Sequence, residues 1–120
     1  MEHKSNIYHD KLKALMDGLA HYVYDVTEKF PKQEMFGLTS QLRRAAISII
    51  LNYIEGYARQ RTKQYAQFLD ISYGSLKETK YLIYFCYKRK YIKETGYMNL
   101  IKLCDEIGKM LWGTMKHIKS

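Results

Sequence analysis

Arg44, Asn52, Glu55 and Arg59 are the residues whose types and spacing come nearest to chemistry. With Gln41 and Ser48 they recur every three or four positions, which puts six polar side chains on one face of a helix. Two readings fit. A guanidinium, a carboxamide and a carboxylate on one stripe can line a binding cleft. Alternatively the stripe is an internal network, since Glu55 precedes Arg59 in the favourable i, i+4 order, and Asn52 and Gln41 both donate and accept. We read Gln41, Arg44, Ser48, Asn52 and Glu55 as a structural polar network. The reason is that nothing else in the chain supplies a reaction.

No nucleophile, phosphate loop or metal set accompanies the stripe. His3, His9, His21 and His117 are scattered, and none has carboxylates at ligand spacing. Cys86 and Cys104 lie eighteen positions apart within apolar helical patterns, so two buried free thiols are expected rather than a disulfide. There is no Walker-type glycine loop and no nucleophile elbow. The sequence therefore predicts no catalytic residue, no cofactor and no enzyme.

A second set of residues suits a polyanion. Arg43, Arg44, Arg59, Arg61 and Lys63 gather around one segment and the turn after it, and Lys88, Arg89, Lys90 and Lys93 around the next turn. The net charge is +8; residues 39–61 carry four Lys/Arg against one Asp/Glu, and residues 62–93 carry seven against two. Lysine and arginine neutralise phosphates, and the twelve tyrosines could stack on unpaired bases or fill protein interfaces. Arg43, Arg59, Arg61, Lys63, Lys88, Arg89, Lys90 and Lys93 are the candidate nucleic-acid contacts.

These residues need a scaffold. With 120 residues, 47% of them apolar, and only one proline, the chain is one domain of long uninterrupted segments. Tyr8, Leu12, Leu15, Leu19, Tyr22, Val26 and Phe30 trace the stripe of a first helix, from about Ser5 to Phe30, which Pro31 stops. Gly18 within it is read as a place where a neighbour can come close. A loop then leads to Thr39 or Ser40 as N-cap. The second helix, ending near 59–61, is apolar around most of its girth and predicts a buried element. Thr62 caps a third helix over about Lys63–Lys90, where Gly74 and Ser75 could permit close packing. After a turn over 91–96, broken by Gly96, a fourth helix runs from about Tyr97 to Ile118. Four amphipathic helices with short links predict an all-α, up-down antiparallel four-helix bundle spanning 1–120. The polar start of the chain predicts no signal peptide, and the longest uncharged run, Ala45–Ile54, is too short to span a bilayer. A soluble cytoplasmic protein, not associated with a membrane, is expected.

The run from Phe30-Pro31 through Glu34, Phe36-Gly37-Leu38, Gln41, Arg43-Arg44-Ala45, Ser48-Ile49, Asn52, Glu55-Gly56 and Arg59 resembles a bacterial four-helix-bundle family. Its members are encoded in intervening sequences of large-subunit ribosomal RNA genes, and relatives are called ribosomal-protein-like. The likeness continues through Tyr65, Phe68-Leu69, Gly74-Ser75, Glu78, Leu82, Glu106-Ile107 and Met110-Leu111, and so covers nearly the whole chain. Two positions depart from the pattern: Ile50 stands where proline is usual, and Ile54 where alanine is usual. The resemblance implies the same bundle fold and a ring-shaped homopentamer. It also implies a kinship with the accessory protein of diversity-generating retroelements, which assists a reverse transcriptase and contacts RNA through a basic surface. The expectation is thus a non-enzymatic oligomer that binds nucleic acid, structured RNA in the first place. The alternative is a homo-oligomeric scaffold for a protein partner, such as a reverse transcriptase, without nucleic acid.

Overall fold

The three-and-four spacing becomes four helices: α1 (Glu2–Thr27), α2 (Ser40–Tyr57), α3 (Gln64–Lys88) and α4 (Glu94–Lys119). The structure, a computed structural model, describes the backbone of residues 2–119 and the side chains of residues 7–118, so the side chain of His3 lies outside it. α1 and α3 each pack against both α2 and α4, which closes an antiparallel four-helix bundle of 47 × 24 × 19 Å. No described residue is in a strand.

The core is continuous through all four helices, with Leu12, Met16, Leu19, Leu42, Ile49, Leu69, Ile83, Leu100, Ile107 and Leu111 fully buried. The buried line of α1 runs through Leu12, Met16, Leu19, Val23 and Thr27 rather than through Leu15, Tyr22 and Val26, which are only half buried. Both lines have helical spacing, and the stripe is rotated by about one position.

Helix ends depart from the sequence reading for local reasons. α1 stops at Thr27, ahead of Phe30. Lys29 and Phe30 make short-range N–H bonds to the carbonyls of Val26 and Thr27, because the residue before proline is driven out of the α region. Neither Thr39 nor Ser40 makes a side-chain cap. The chain passes through a 3₁₀ turn (Lys32–Glu34) and a π turn (Met35–Thr39) straight into α2, and the Glu34 carboxylate accepts from the Leu38 N–H at 3.3 Å. Thr62 does serve α3, accepting from the Gln64 N–H at 3.2 Å. α4 begins at Glu94, so Gly96 lies inside it rather than breaking the chain.

The closest helix pairing is between α2 and α3, and small residues make it possible. A Cβ on Gly56 would sit 2.9 Å from the Phe68 Cβ, an approach real Cβ atoms do not make. Gly18 and Gly74 have nothing within 4 Å of such a Cβ, so neither brings a neighbour close. Ser75, not Gly74, meets α2. One expectation for α2 fails: it is not buried all round. Leu51 is 57% and Ile54 43% exposed, beside a half-buried Ile47. The buried edge of α2 is instead Leu42, Ala45, Ala46, Ile49, Tyr53 and Gly56.

Alanine is the better helix former by about 1 kcal/mol, so Gly56→Ala would stabilise an isolated α2. Here it must separate two backbones. A net loss of about 1–3 kcal/mol in urea unfolding is expected. A variant as stable as the parent would show that α3 is not held at this distance.

Candidate nucleic-acid interface

The polar stripe of α2 faces the rim of α3. Asn52 Nδ2 donates to the Ser48 carbonyl (2.9 Å) and to Ser48 Oγ (3.0 Å), and Ser48 Oγ shares a 2.7 Å hydrogen bond with Ser75 Oγ. One turn deeper, the buried Ser72 hydroxyl donates to the Ile49 carbonyl at 2.7 Å. The centre of the stripe is therefore an α2–α3 seam within one protomer. Its ends are different. Glu55 pairs with Arg59 across one helical turn at the surface, and that guanidinium also lies 5.3 Å from the Phe68 ring centroid. Gln41 and Arg44 are exposed and, among the described residues, make no side-chain hydrogen bond or ion pair. Together with Ser48, Ser75 and Glu78 they line a shallow cleft of about 350 Å³.

The eight candidate nucleic-acid residues do not form one patch on a protomer. Lys63 and Lys88 bracket the 25 residues of α3, so the two clusters stand about 37 Å apart, at opposite ends of the bundle. Arg61 and Lys63 are exposed at one end; Lys88, Arg89, Lys90 and Lys93 are exposed at the other. Arg43 is a clamp. Its Nε donates to Thr27 Oγ1 at 2.8 Å, its Nη2 reaches the Tyr24 carbonyl at 3.4 Å, and its guanidinium lies 4.4 Å from the Tyr24 ring centroid. It ties the end of α1 to the start of α2.

Lys90 carries a backbone cost. It is the one described non-glycine residue with positive φ, at 69°. The Tyr91 N–H bonds to the Cys86 carbonyl at 2.9 Å, the closure of a left-handed helix end that normally takes glycine. The Tyr91 phenol then donates to Glu34 Oε2 at 3.1 Å, and its ring packs 5.4 Å from Phe30, which fixes the turn against the α1–α2 connection.

The opposite end holds an arrangement that the sequence reading missed. His9 and His117, read there as unrelated, line one open cleft of about 650 Å³ with Tyr8, Tyr53, Tyr57 and Tyr65. The antiparallel topology brings together the first turns of α1, the last of α2, the first of α3 and the last of α4. The His9 ring stacks on Tyr57 at 3.6 Å with planes 12° apart, and its Nδ1 lies 2.8 Å from the Tyr53 hydroxyl. Burial pushes the Tyr53 phenol well above its ordinary range, so it keeps its proton near neutrality, and which partner donates in this bond follows the imidazole tautomer. Burial, with the Lys13 charge second, lowers the pKa of His9 below its ordinary 6.5.

The thiols are buried and free, with burial pushing Cys86 up to about 11 and Cys104 up to about 12. Both are therefore protonated and unreactive near neutrality. No group of three or more metal-ligating side chains occurs among the described residues, and no helix there is long and apolar enough to cross a membrane.

The 23S rRNA-intervening sequence protein family model matches residues 12–113. The chain belongs to this family. A solved structure shares the fold, that of a protein of unknown function from the S23 ribosomal protein family of Bacteroides thetaiotaomicron VPI-5482. It is 22% identical, with a TM-score of 0.82, over 91% of this chain and 98% of that one. At that identity the likeness establishes the bundle alone. No curated protein matches.

The His9 environment gives stability a pH dependence of known sign. Its folded pKa lies below 6.5, so the unfolded chain binds the proton more readily. This contribution is complete above pH 6.5 and is lost as pH falls through that value toward the lower folded-state pKa. The urea midpoint is expected to fall between about pH 7.5 and about pH 5, and His9→Gln should flatten that fall. An identical slope in the variant would assign the dependence to other groups.

Proposed function

We propose that this family member is a non-enzymatic, oligomeric accessory protein of the cytoplasm that binds nucleic acid, structured RNA first, through its basic surface. The observation that carries the reading is that Arg61, Lys63, Lys88, Arg89, Lys90 and Lys93 are all exposed and none is ion-paired among the described residues. Unpaired surface cations at both ends of a 47 Å bundle suit a polyanion that runs along it or across several copies of it.

Self-association is supported by the apolar ridge of α2. Ile47, Leu51 and Ile54 lie on one outward face of the helix, and burying them against a second copy would remove from water what the protomer leaves exposed. The resemblance suggests five copies in a ring. A second reading, a scaffold for a protein partner such as a reverse transcriptase, is favoured by one observation. In the loop before α2, Phe36 is 94% and Met35 54% exposed, an apolar tip with no partner in the protomer.

Binding of a structured RNA should weaken steeply with salt. The logarithm of the affinity should fall linearly with the logarithm of salt concentration, by about 0.7–0.9 per phosphate neutralised. Lys90→Gly separates charge from fold. It should raise stability by about 1 kcal/mol by relieving the positive φ, while weakening RNA binding and shrinking the salt slope by about one contact. No binding at low salt would end the nucleic-acid reading; a partner that survives nuclease treatment would favour the scaffold.

Light scattering tests the assembly. A mass near five times 14.3 kDa is expected, and Leu51→Glu should shift the population toward the monomer. A monomeric parent at micromolar concentration would refute it.

A further inference from the structure

The two charged ends leave the long flank between α3 and α4 unaccounted for. A groove of about 410 Å³ runs along it, walled by Tyr73, Lys77 and Lys80 from α3 and by Asp105, Lys109 and Trp112 from α4. Its floor is Leu76, Cys104 and Gly108. A Cβ on Gly108 would rest 3.5 Å from Leu76, an ordinary contact, so packing does not demand glycine there. Glycine costs the helix about 1 kcal/mol relative to alanine at such a position and leaves the groove floor open.

The rim of this groove combines ring faces with cations. Trp112, the chain's single tryptophan, is 54% exposed, and its ring meets Tyr73 at 5.6 Å with planes 44° apart. Lys77 Nζ lies 5.1 Å from the Tyr73 ring centroid. Lys80 is committed, since it donates to Asp105 Oδ1 at 2.8 Å and that bond raises its pKa; it braces α3 against α4. Lys77 and Lys109 have no ion-pair partner among the described residues. Lys102 and Lys116 stand seven residues to either side of Lys109, both exposed, so α4 presents cations about 10.5 Å apart along this face. Three lysines against one aspartate in the groove give it positive character.

We propose that the α3–α4 groove is a subsite for single-stranded RNA: an unpaired base stacks on Trp112 beside Tyr73, and the flanking phosphates sit on Lys77 and Lys109. The proposal rests on the nucleic-acid reading above and adds a place and a substrate form to it. A duplex keeps its base faces stacked internally and cannot offer one to an exposed indole, whereas any unpaired base can. The lysine row then follows the backbone away from the stacked base.

Because Trp112 is the only tryptophan, its fluorescence reports this groove alone. The full-length chain is titrated with a single-stranded RNA of about 12 nucleotides and with a duplex of the same sequence. Binding is followed in parallel by polarisation of a label on the RNA. The expected result is saturable quenching of Trp112 by the single strand and little by the duplex. Trp112→Ala should weaken single-strand binding about 5- to 100-fold without changing its salt slope, and Trp112→Phe should recover much of the loss. Lys77→Gln with Lys109→Gln should instead shrink the slope by about 0.7 per lysine. Polarisation that reports binding while Trp112 stays silent and Trp112→Ala binds normally would overturn the groove and leave the broader reading standing. No binding of either RNA would overturn both. A changed oligomer mass in Trp112→Ala would overturn the proposal by making the groove a contact between copies.

Discussion

The close approach of α2 to α3 is the constraint on which the rest of the bundle depends. Gly56 admits the Phe68 Cβ, and the serines at 48, 72 and 75 meet across the seam in place of larger apolar side chains. Hydroxyls at such a seam need partners, because an unmet buried polar group costs about 1–3 kcal/mol. Each has one: Ser72 uses the Ile49 carbonyl, while Ser48 and Ser75 use each other, with Asn52 donating to Ser48. No buried side-chain nitrogen or oxygen is left unsatisfied among the described residues. The seam fixes register as well as distance, since sliding α3 by one turn would unpair all three serines and drive Phe68 into a side chain. α2 then has its small and polar edge against α3 and its large residues Leu42, Ile49 and Tyr53 in the core. Ile47, Leu51 and Ile54 are left on the remaining outward arc.

That register also decides where charge goes. In an antiparallel bundle the turns after α2 and after α3 must lie at opposite ends, so basic residues only 25 positions apart in sequence cannot form one local patch on a protomer. Between them the flank of α3 and α4 carries its own lysines, interleaved with Tyr73 and Trp112. Positive charge therefore follows the long axis and does not collect in a single patch. Such a distribution matches an extended polyanion better than a compact anionic ligand.

The bundle was legible because long amphipathic periods survive with few breakers, and the family pattern reinforced them. What was not legible has specific causes. Helical spacing reports that Leu51 and Ile54 share a face but not whether that face meets the protomer's own core or solvent. The start of α2 at Thr39–Ser40 was legible, but the expected side-chain cap is not made, because a π turn held by Glu34 leads into the helix and has no simple sequence signal. The Arg43 clamp on Thr27 spans sixteen positions and needs the α1–α2 angle to be known. The lysine row of α4 was hidden by arithmetic: acidic residues in the same segment cancel it in net charge, although Lys102, Lys109 and Lys116 repeat at seven. The histidine–tyrosine cleft could have been found by asking which residues an antiparallel bundle gathers at one end.

The turn after α3 shows how far stability alone accounts for the basic residues. Lys88, in the last turn of α3, is favoured by the helix dipole by about 0.3–1 kcal/mol. The same field works against Lys93, which stands immediately before the N-terminus of α4, where Glu94 is the favoured charge. Lys90 is disfavoured on different grounds, since its left-handed backbone would cost less as glycine. Two of the cluster's four cations thus sit where the dipole or the backbone opposes them. Their positions are not what a solubilising surface requires, because lysines for solubility are tolerated almost anywhere exposed. Charge placed at a cost to the fold, and unpaired among the described residues, supports the proposal of a counter-charge outside the protomer.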